Sequence, residues 1–289
     1  MPTGMTRTNW RRANVDRFVH NLSDAIKKAR PWVQFGVSPF GIWRPQNPPP
    51  IRGMDACERI FADSRKWLVN GWVDYLVPQL YWTIGSPQQS FPLLYDWWRA
   101  QNVQRRHVWA GLADFSAGTK FSMDEIPRQI QIVRQRSDPG AVHYHLRSVL
   151  DNPALAAAVG AQYAQPALVP VSPWIFLAPP AIPNLSVDMG GKSAHVRWQA
   201  NPGKPANWWV LQCHVNGVWN CSIFPAGQTD CYLDRVKPDA IAVRAADRLG
   251  NLSEPALWMP KKYVAPVVMK GAQLMKAPNS KIQAPGKPQ

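Results

Sequence analysis

Gly71-Trp-Val-Asp-Tyr-Leu-Val-Pro-Gln-Leu-Tyr-Trp82 is the stretch on which the fold turns. Its apolar run, bounded by glycine on one side and a polar loop on the other, reads as a buried strand. Gly71 suits the position just past the end of a helix, where glycine takes the left-handed backbone at little cost. The spacing predicts that helix over residues 55–70. Asp74 sits at the start of the strand, and Gln79, Tyr81 and Trp82 at its end.

The same alternation extends in both directions. Upstream, residues 14–29 place Val15, Phe18, Val19, Leu22 and Ile26 at helical spacing, with Lys27, Lys28 and Arg30 near the negative end of the dipole and Pro31 as the stop. A strand is predicted over 33–37, running into Ser38-Pro-Phe-Gly-Ile-Trp43 and a Pro-rich loop over 44–50. Downstream come a helix over 91–101, a strand over 107–112, a helix over 125–136 and a strand over 141–146. Strands separated by helices of this length predict βα units on a parallel sheet within residues 1–165.

Beyond that point the character changes. Residues 166–183 are Pro-rich and read as a linker. Residues 184–260 carry short strands with turn punctuation, at 194–199, 208–215, 218–224, 229–233 and 240–246, with Asn216-Gly217 as a hairpin turn. This predicts a small β-sandwich. Residues 261–289 are rich in Pro, Lys and Ala without periodicity and read as a disordered basic tail.

Composition narrows the function. The chain has 289 residues, and a hydrophobic fraction of 46% supports a real core. No apolar run approaches the ~20 residues needed to cross a bilayer. The first twelve residues hold no apolar signal-peptide segment, so the chain as written is expected in the cytoplasm. Of the net charge of +15, six units come from lysines beyond Pro260, leaving +9 for residues 1–260. The basic residues are otherwise scattered, with no zinc-finger spacing, RNP-type strand or basic heptad, so a nucleic-acid partner is not expected. Cys57, Cys213, Cys221 and Cys231 form no CxxC pair, and no histidine stands at metal-ligand spacing. Neither a metal nor a cofactor is expected. Cys213, Cys221 and Cys231 allow one bridge in an oxidising compartment, or serve as small buried apolar groups.

The chemistry gathers at strand ends. Trp43 and Arg44 follow the first strand, Gln79, Tyr81 and Trp82 the second, Asp114 and Phe115 the third, and His143 and His145 belong to the fourth. Flat aromatic faces beside an amide and a guanidinium suit the C–H faces and hydroxyls of a pyranose. Trp43, Arg44, Gln79, Tyr81 and Trp82 are therefore the candidate substrate-binding residues, and a polysaccharide is the expected partner. Trp67, Trp97 and Trp98 read as helix-to-sheet packing. Glycoside hydrolysis requires two carboxylates. Asp114 is the single acid placed near a strand end for such work, while Asp74 at a strand start reads as structural. His143 and His145, two residues apart on one predicted face, read as interior packing ahead of catalysis.

Trp10-Arg-Arg-Ala-Asn-Val15, Phe35-Gly-Val-Ser-Pro-Phe-Gly-Ile-Trp43, the Gly71–Trp82 strand, Asp96-Trp-Trp98 and His107-Val-Trp-Ala-Gly-Leu112 together resemble the glycosyl-hydrolase-like family 10 domain of bacterial envelopes. Residues 184–260, with Ala245-Ala-Asp-Arg-Leu-Gly-Asn251 as its F–G turn, resemble a fibronectin type III-like module. The first resemblance implies a (β/α)8 barrel, a periplasmic or envelope-associated parent, and cleavage of peptidoglycan glycan strands. The family's paired-aspartate strand precedes the Trp-Arg-Arg helix and has no counterpart in this sequence; Asn9 stands as the N-cap of that helix. The expectation is the C-terminal half of a TIM-type barrel of about four βα units, inactive alone, with open sheet edges that pair with a missing N-terminal half or self-associate. The alternative is a non-catalytic glycan-binding or scaffolding protein of the envelope.

Overall fold

The computed structural model describes residues 1–260 apart from 138, 192 and 204. The expected tail over 261–289 lies outside the described residues. What is described is a mixed α/β chain: parallel strands flanked by helices, then antiparallel sheets.

Helix α1 (Arg7–Ala29) begins seven residues before the expected start. Thr6 caps it, its hydroxyl accepting from the Asn9 N–H at 3.2 Å. Asn9 therefore lies inside the helix, where its side-chain oxygen accepts from Arg12 at 3.0 Å. Five of the seven added residues are polar, and Trp10 and Ala13 alone set no apolar rhythm, so periodicity alone missed them. The helix predicted over 55–70 is two helices, α2 (Ala56–Arg59) and α3 (Ser64–Val69). Asp55 and Asp63 each accept from the backbone N–H three residues on, at 2.9 and 3.3 Å, so each starts its own helix. Phe61 between them has φ +59°. Gly71, with φ +69°, ends α3 as expected.

Strands β1 (Gly36–Val37), β2 (Tyr75–Leu76) and β3 (His107–Val108) pair in parallel, with Gly36, Tyr75 and His107 in register. Strand β4 (Ala110–Ala113) pairs in parallel with β5 (Ala141–Tyr144). Bridges from Phe40 to Gln79 and from Gln79 to Gly111 carry the pairing onward. Strand β2 is shorter than predicted because Pro78 lacks the N–H that a continuous ladder needs. Helices α4 (Phe91–Ala100) and α5 (Glu125–Arg134) pack on one face of this sheet. Leu76, Leu80 and Leu112 meet Leu94, Trp98, Ile126 and Ile130 there. Trp67 and Trp98 are buried, as helix-to-sheet packing requires. Two further helices, α6 (Leu146–Leu150) and α7 (Pro153–Gln162), follow β5. Asn152 caps α7 by accepting from Leu155 N–H at 3.1 Å, with Pro153 in the first turn.

Residues 166–183 dock on the sheet. Trp174 donates its indole N–H to Asp74 at 2.7 Å, and Ser172 is 2.6 Å from Gln34 and 3.1 Å from His107. Seven antiparallel strands then form two sheets. One holds β6 (Asn184–Gly190), β7 (Ser193–Gln199) and β10 (Asp230–Leu233). The other holds β8 (Trp208–Val215), β9 (Val218–Pro225), β11 (Ala240–Ala246) and β12 (Ala256–Trp258). Val196, Trp198, Trp209, Leu211, Ile241 and Val243 fill the space they share. Asn216 and Gly217 have φ +50° and +83°, the geometry of a tight hairpin between β8 and β9. All four cysteines are free thiols. Cys221 pairs in register with Gln212, so its side chain leaves the sheet on the face opposite Cys213.

Candidate functional site

Strand alternation builds a cleft on the sheet face that α4 and α5 leave open. Leu76 and Leu80 point to the helices, while Tyr75, Val77, Gln79 and Tyr81 line a cleft of about 680 Å³. Ser38, Trp109, Gly111, Val142 and Tyr144 complete its wall. At one end the rings of Tyr75 and Trp109 stack at 4.9 Å and 25°. Glycine makes this possible: a Cβ on Gly36 would overlap the Tyr75 ring, and one on Gly140 the Trp109 ring. At the other end Tyr81 stacks on Tyr144 at 5.9 Å and meets Phe115 edge-on at 5.6 Å. Phe115 and Tyr144 are 44% and 53% exposed. Between the two sets lies Gln79, its amide N–H donating to the Ser38 carbonyl at 3.0 Å. Burial, with Tyr144 and Asp114 adding repulsion, pushes the Tyr81 phenol above its ordinary value, so it stays a neutral donor. Rings at both ends and a fixed amide between them can hold a flat, hydroxyl-rich chain.

Of the sequence candidates, Gln79 and Tyr81 line this cleft; Trp43, Arg44 and Trp82 lie elsewhere. Trp43 donates to Asp63 at 2.9 Å, stacks on Trp97 at 5.9 Å, and lies under the guanidiniums of Arg44 and Arg65. Arg44 bonds Glu58 at 2.8 Å and the Cys57 sulfur at 3.3 Å, the latter contact raising its own pKa. Trp82 falls one residue out of phase with Tyr81. It meets Phe40 edge-on at 5.6 Å, and its carbonyl accepts from Gln129.

Asp114 does not line the cleft. It is buried, and His143 Nδ1 lies 2.9 and 3.1 Å from its two oxygens. His143 Nε2 in turn meets the Tyr163 hydroxyl at 3.0 Å. Arg134 sits over the Tyr163 ring at 5.0 Å, and burial pushes that phenol's pKa up. The triad clamps the end of α7 to the sheet. His145 has a separate role: Nδ1 accepts from the Ser148 N–H at 3.2 Å and caps α6. The strand predicted over 141–146 ends at Tyr144 in the structure, so the two histidines do not share a strand face. Asp74 is structural as read, accepting from Lys27, the Phe35 N–H and Trp174. Glu125 is buried and accepts from the Ile84 N–H at 2.7 Å. Tyr75, Trp109 and Tyr144 were not among the binding candidates; their period-two spacing from Gln79, Gly111 and Val142 is the signal that finds them. Among the described residues no cluster of His, Cys, Asp or Glu could hold a metal ion.

The motifs of residues 2–125 match the family model described as Glycosyl hydrolase-like 10. Residues 2–125 are a Glycosyl hydrolase-like 10 region. Glycosyl hydrolase YngK of Bacillus subtilis (strain 168) is 34% identical over 193 residues, covering 62% of this chain and 38% of the relative. Glycosyl hydrolase DigH of Escherichia coli (strain K12) is 33% identical over 118 residues, 39% of this chain and 27% of the relative. The chain thus spans less than half the length of these two relatives. Among solved structures, the FN3tt crystal structure covers 28% of this chain and 91% of its own, at 18% identity and a TM-score of 0.24. The Clostridium perfringens spore cortex lytic enzyme SleM covers 64% and 65%, at 14% identity and a TM-score of 0.25. The cleft draws Gly36, Ser38, Gln79, Tyr81 and Trp109 from inside the Glycosyl hydrolase-like 10 region and Val142 and Tyr144 from beyond it.

Proposed function

We propose that this protein supplies the glycan-binding wall of an envelope glycoside hydrolase that acts on peptidoglycan strands, and that by itself it binds glycan without cleaving it. The observation that carries this reading is the ring-lined cleft of the Glycosyl hydrolase-like 10 region, with Gln79 at its centre and Tyr81, Phe115 and Tyr144 at its outer end. Among the described residues that line the cleft none is a carboxylate, and Asp114 has both oxygens on His143. Hydrolysis calls for an acid pair in reach of one glycosidic bond, so the acids come from outside this wall. The two relatives named as glycosyl hydrolases, YngK and DigH, fit the same assignment.

The architecture that goes with it is half of a (β/α)8 barrel, the cleft being the inner face of an unclosed sheet. The apolar side chains left in solvent support this: Phe18 on α1, and Leu146 and Leu150 on α6, are each about two-thirds exposed. Those are the faces that further βα units, or a second copy, would cover. An envelope location follows from the substrate class, and no helix among the described residues is long and apolar enough to cross a membrane.

Binding of the full chain to peptide-stripped glycan strands, assayed together with the release of reducing ends, tests the reading. Saturable binding without new reducing ends is expected. Gln79→Ala, Tyr81→Ala and Tyr144→Ala should each weaken binding about tenfold, roughly 1.4 kcal/mol, with Trp43→Ala near wild type. New reducing ends lost on Asp114→Asn would overturn the non-catalytic part. Equal binding by all four variants would overturn the site.

A further inference from the structure

We propose that the outer face of the three-stranded sheet β6–β7–β10 is a second carbohydrate site, a shallow cavity that takes an uncharged pyranose unit through its hydroxyls. The cavity, of about 470 Å³, lies on the β-sandwich, apart from the ring-lined cleft, and does not depend on the reading of that cleft. Asn184, Ser186, Arg197, Gln199, Thr229 and Asp230 line it.

Strand alternation and register bring these side chains together. On β7, Ala194, Val196 and Trp198 are buried between the two sheets, so His195, Arg197 and Gln199 leave on the other side. Gln199 lies opposite Asn184, Arg197 opposite both Ser186 and Asp230, and His195 opposite both Asp188 and Tyr232. These three rows carry hydrogen-bonding side chains and no aliphatic one.

Bonds within the face hold its middle in place. His195 Nε2 lies 2.8 Å from one oxygen of Asp230. Arg197 pairs with Asp188, and its Nη1 stands 3.4 Å from His195 Nδ1. With the imidazole proton on Nε2 for Asp230, Nδ1 is an acceptor for the guanidinium, so one tautomer answers both neighbours. Arg197 and Asp188 neutralise each other, which leaves the Asp230 carboxylate as the surplus charge and turns the face against an anion. Around this fixed frame, the hydroxyls of Ser186 and Thr229, the Gln199 amide and the second oxygen of Asp230 make no hydrogen bond among the described residues. They offer donors and acceptors side by side, as neighbouring sugar hydroxyls require.

Tyr232 stands one row on. Its ring stacks on His195 at 4.0 Å and 9°, and the residue is 71% exposed, so the ring face turned away from His195 is open. The C–H side of a pyranose packs on such a face. Tyr232 and Asp230 are two residues apart on one strand, about 7 Å, within the span of a short oligosaccharide.

Calorimetric titration of the full chain with chitotetraose, and separately with cellotetraose, tests the proposal. Each titration is run on the wild type and on Gln79→Ala/Tyr144→Ala, which removes two cleft side chains. Saturation by at least one sugar is expected to persist in that variant. Chitotetraose alone assigns an acetamido sugar, cellotetraose alone a plain hexose, and both the hydroxyl pattern they share. In the same background Tyr232→Ala and Gln199→Ala, on exposed side chains, should each weaken the remaining binding about tenfold. Leu257→Ala, exposed on the other sheet, should change nothing. Binding that vanishes with Gln79→Ala/Tyr144→Ala, or that Tyr232→Ala and Gln199→Ala both leave unchanged, would overturn this site. Binding that the cleft substitutions leave untouched and Tyr232→Ala weakens would support it and count against the cleft alone.

Discussion

Asp74→Ala should destabilise the parallel sheet by about 3–5 kcal/mol, and the figure follows from what the carboxylate holds. The side chain is 4% exposed, and it accepts from the Phe35 N–H at 2.6 Å, the Trp174 indole at 2.7 Å and Lys27 at 2.5 Å. Alanine would orphan two buried or half-buried N–H groups, each at about 1–3 kcal/mol. The Lys27 ammonium is 31% exposed, so its share is discounted to less than about 1 kcal/mol. At about 2–4 °C per kcal/mol for a unit of this size, the melting temperature should fall by roughly 6–20 °C. Urea unfolding followed by circular dichroism measures the loss. Limited proteolysis gives a second readout: with the Trp174 anchor gone, residues 166–183 should be cut faster than in the wild type. Asp74→Asn keeps one acceptor oxygen and should lose about half as much. A loss below about 1 kcal/mol in Asp74→Ala, with residues 166–183 still protected, would refute the view that this carboxylate pins helix, sheet and linker together.

Trp98→Ala removes a fully buried ring and orphans the Gly41 carbonyl, 2.8 Å from the indole nitrogen; a loss of about 3–5 kcal/mol by denaturant titration is expected. Gly36→Ala places a Cβ in the Tyr75 ring, so a loss of about 1–3 kcal/mol is expected, with a changed near-ultraviolet circular dichroism signal from the displaced Tyr75–Trp109 stack. Burial, with Asp230 and Cys213 adding repulsion, raises the Cys231 thiol to about 11. At pH 8 it should therefore react with iodoacetamide far more slowly than an unfolded-state thiol, as peptide mass spectrometry would read. Because the folded value is raised, this group's contribution to stability is intact below pH ~8.5 and is lost as the pH climbs toward about 11.

The order of the predicted helices and strands was legible because each apolar run carries its own period, whereas α6, α7, β6 and β12 were not predicted. Gly71 and the Asn216-Gly217 pair were legible because left-handed backbone leaves a residue-type signature. What periodicity could not show were features set by side-chain capping. Asp55 and Asp63 split one predicted helix into two, Thr6 lengthened another, and Asn152-Pro153 opened a helix where the dipeptide also reads as a turn. In the site, the position of Gln79 at the strand end was readable. The partition between Tyr81 and Trp82 depended on which residue shares the phase of Gln79, a distinction that strict alternation supplies and proximity to the strand end does not. The Asp114–His143–Tyr163 clamp joins residues 29 and 20 positions apart, beyond any local pattern.

The rings on the open face answer two demands, and their surroundings separate them. Tyr75 and Trp109 lie over glycines and against each other, and His107 stacks on Trp109 at 5.2 Å, so their faces are largely spent inside the protein. Phe115 and Tyr144 keep about half their surface in solvent and frame Tyr81 at the end of the strands. A sugar ring stacks only on a face that is still free. The first pair therefore sets the shape of the sheet, while on the proposed reading the outer trio with Gln79 would hold the glycan. It follows that Tyr144→Ala should cost binding with little cost in stability, whereas Trp109→Ala should cost stability first. A glycan that survives the loss of Tyr144 but not of Trp109 would reverse this assignment.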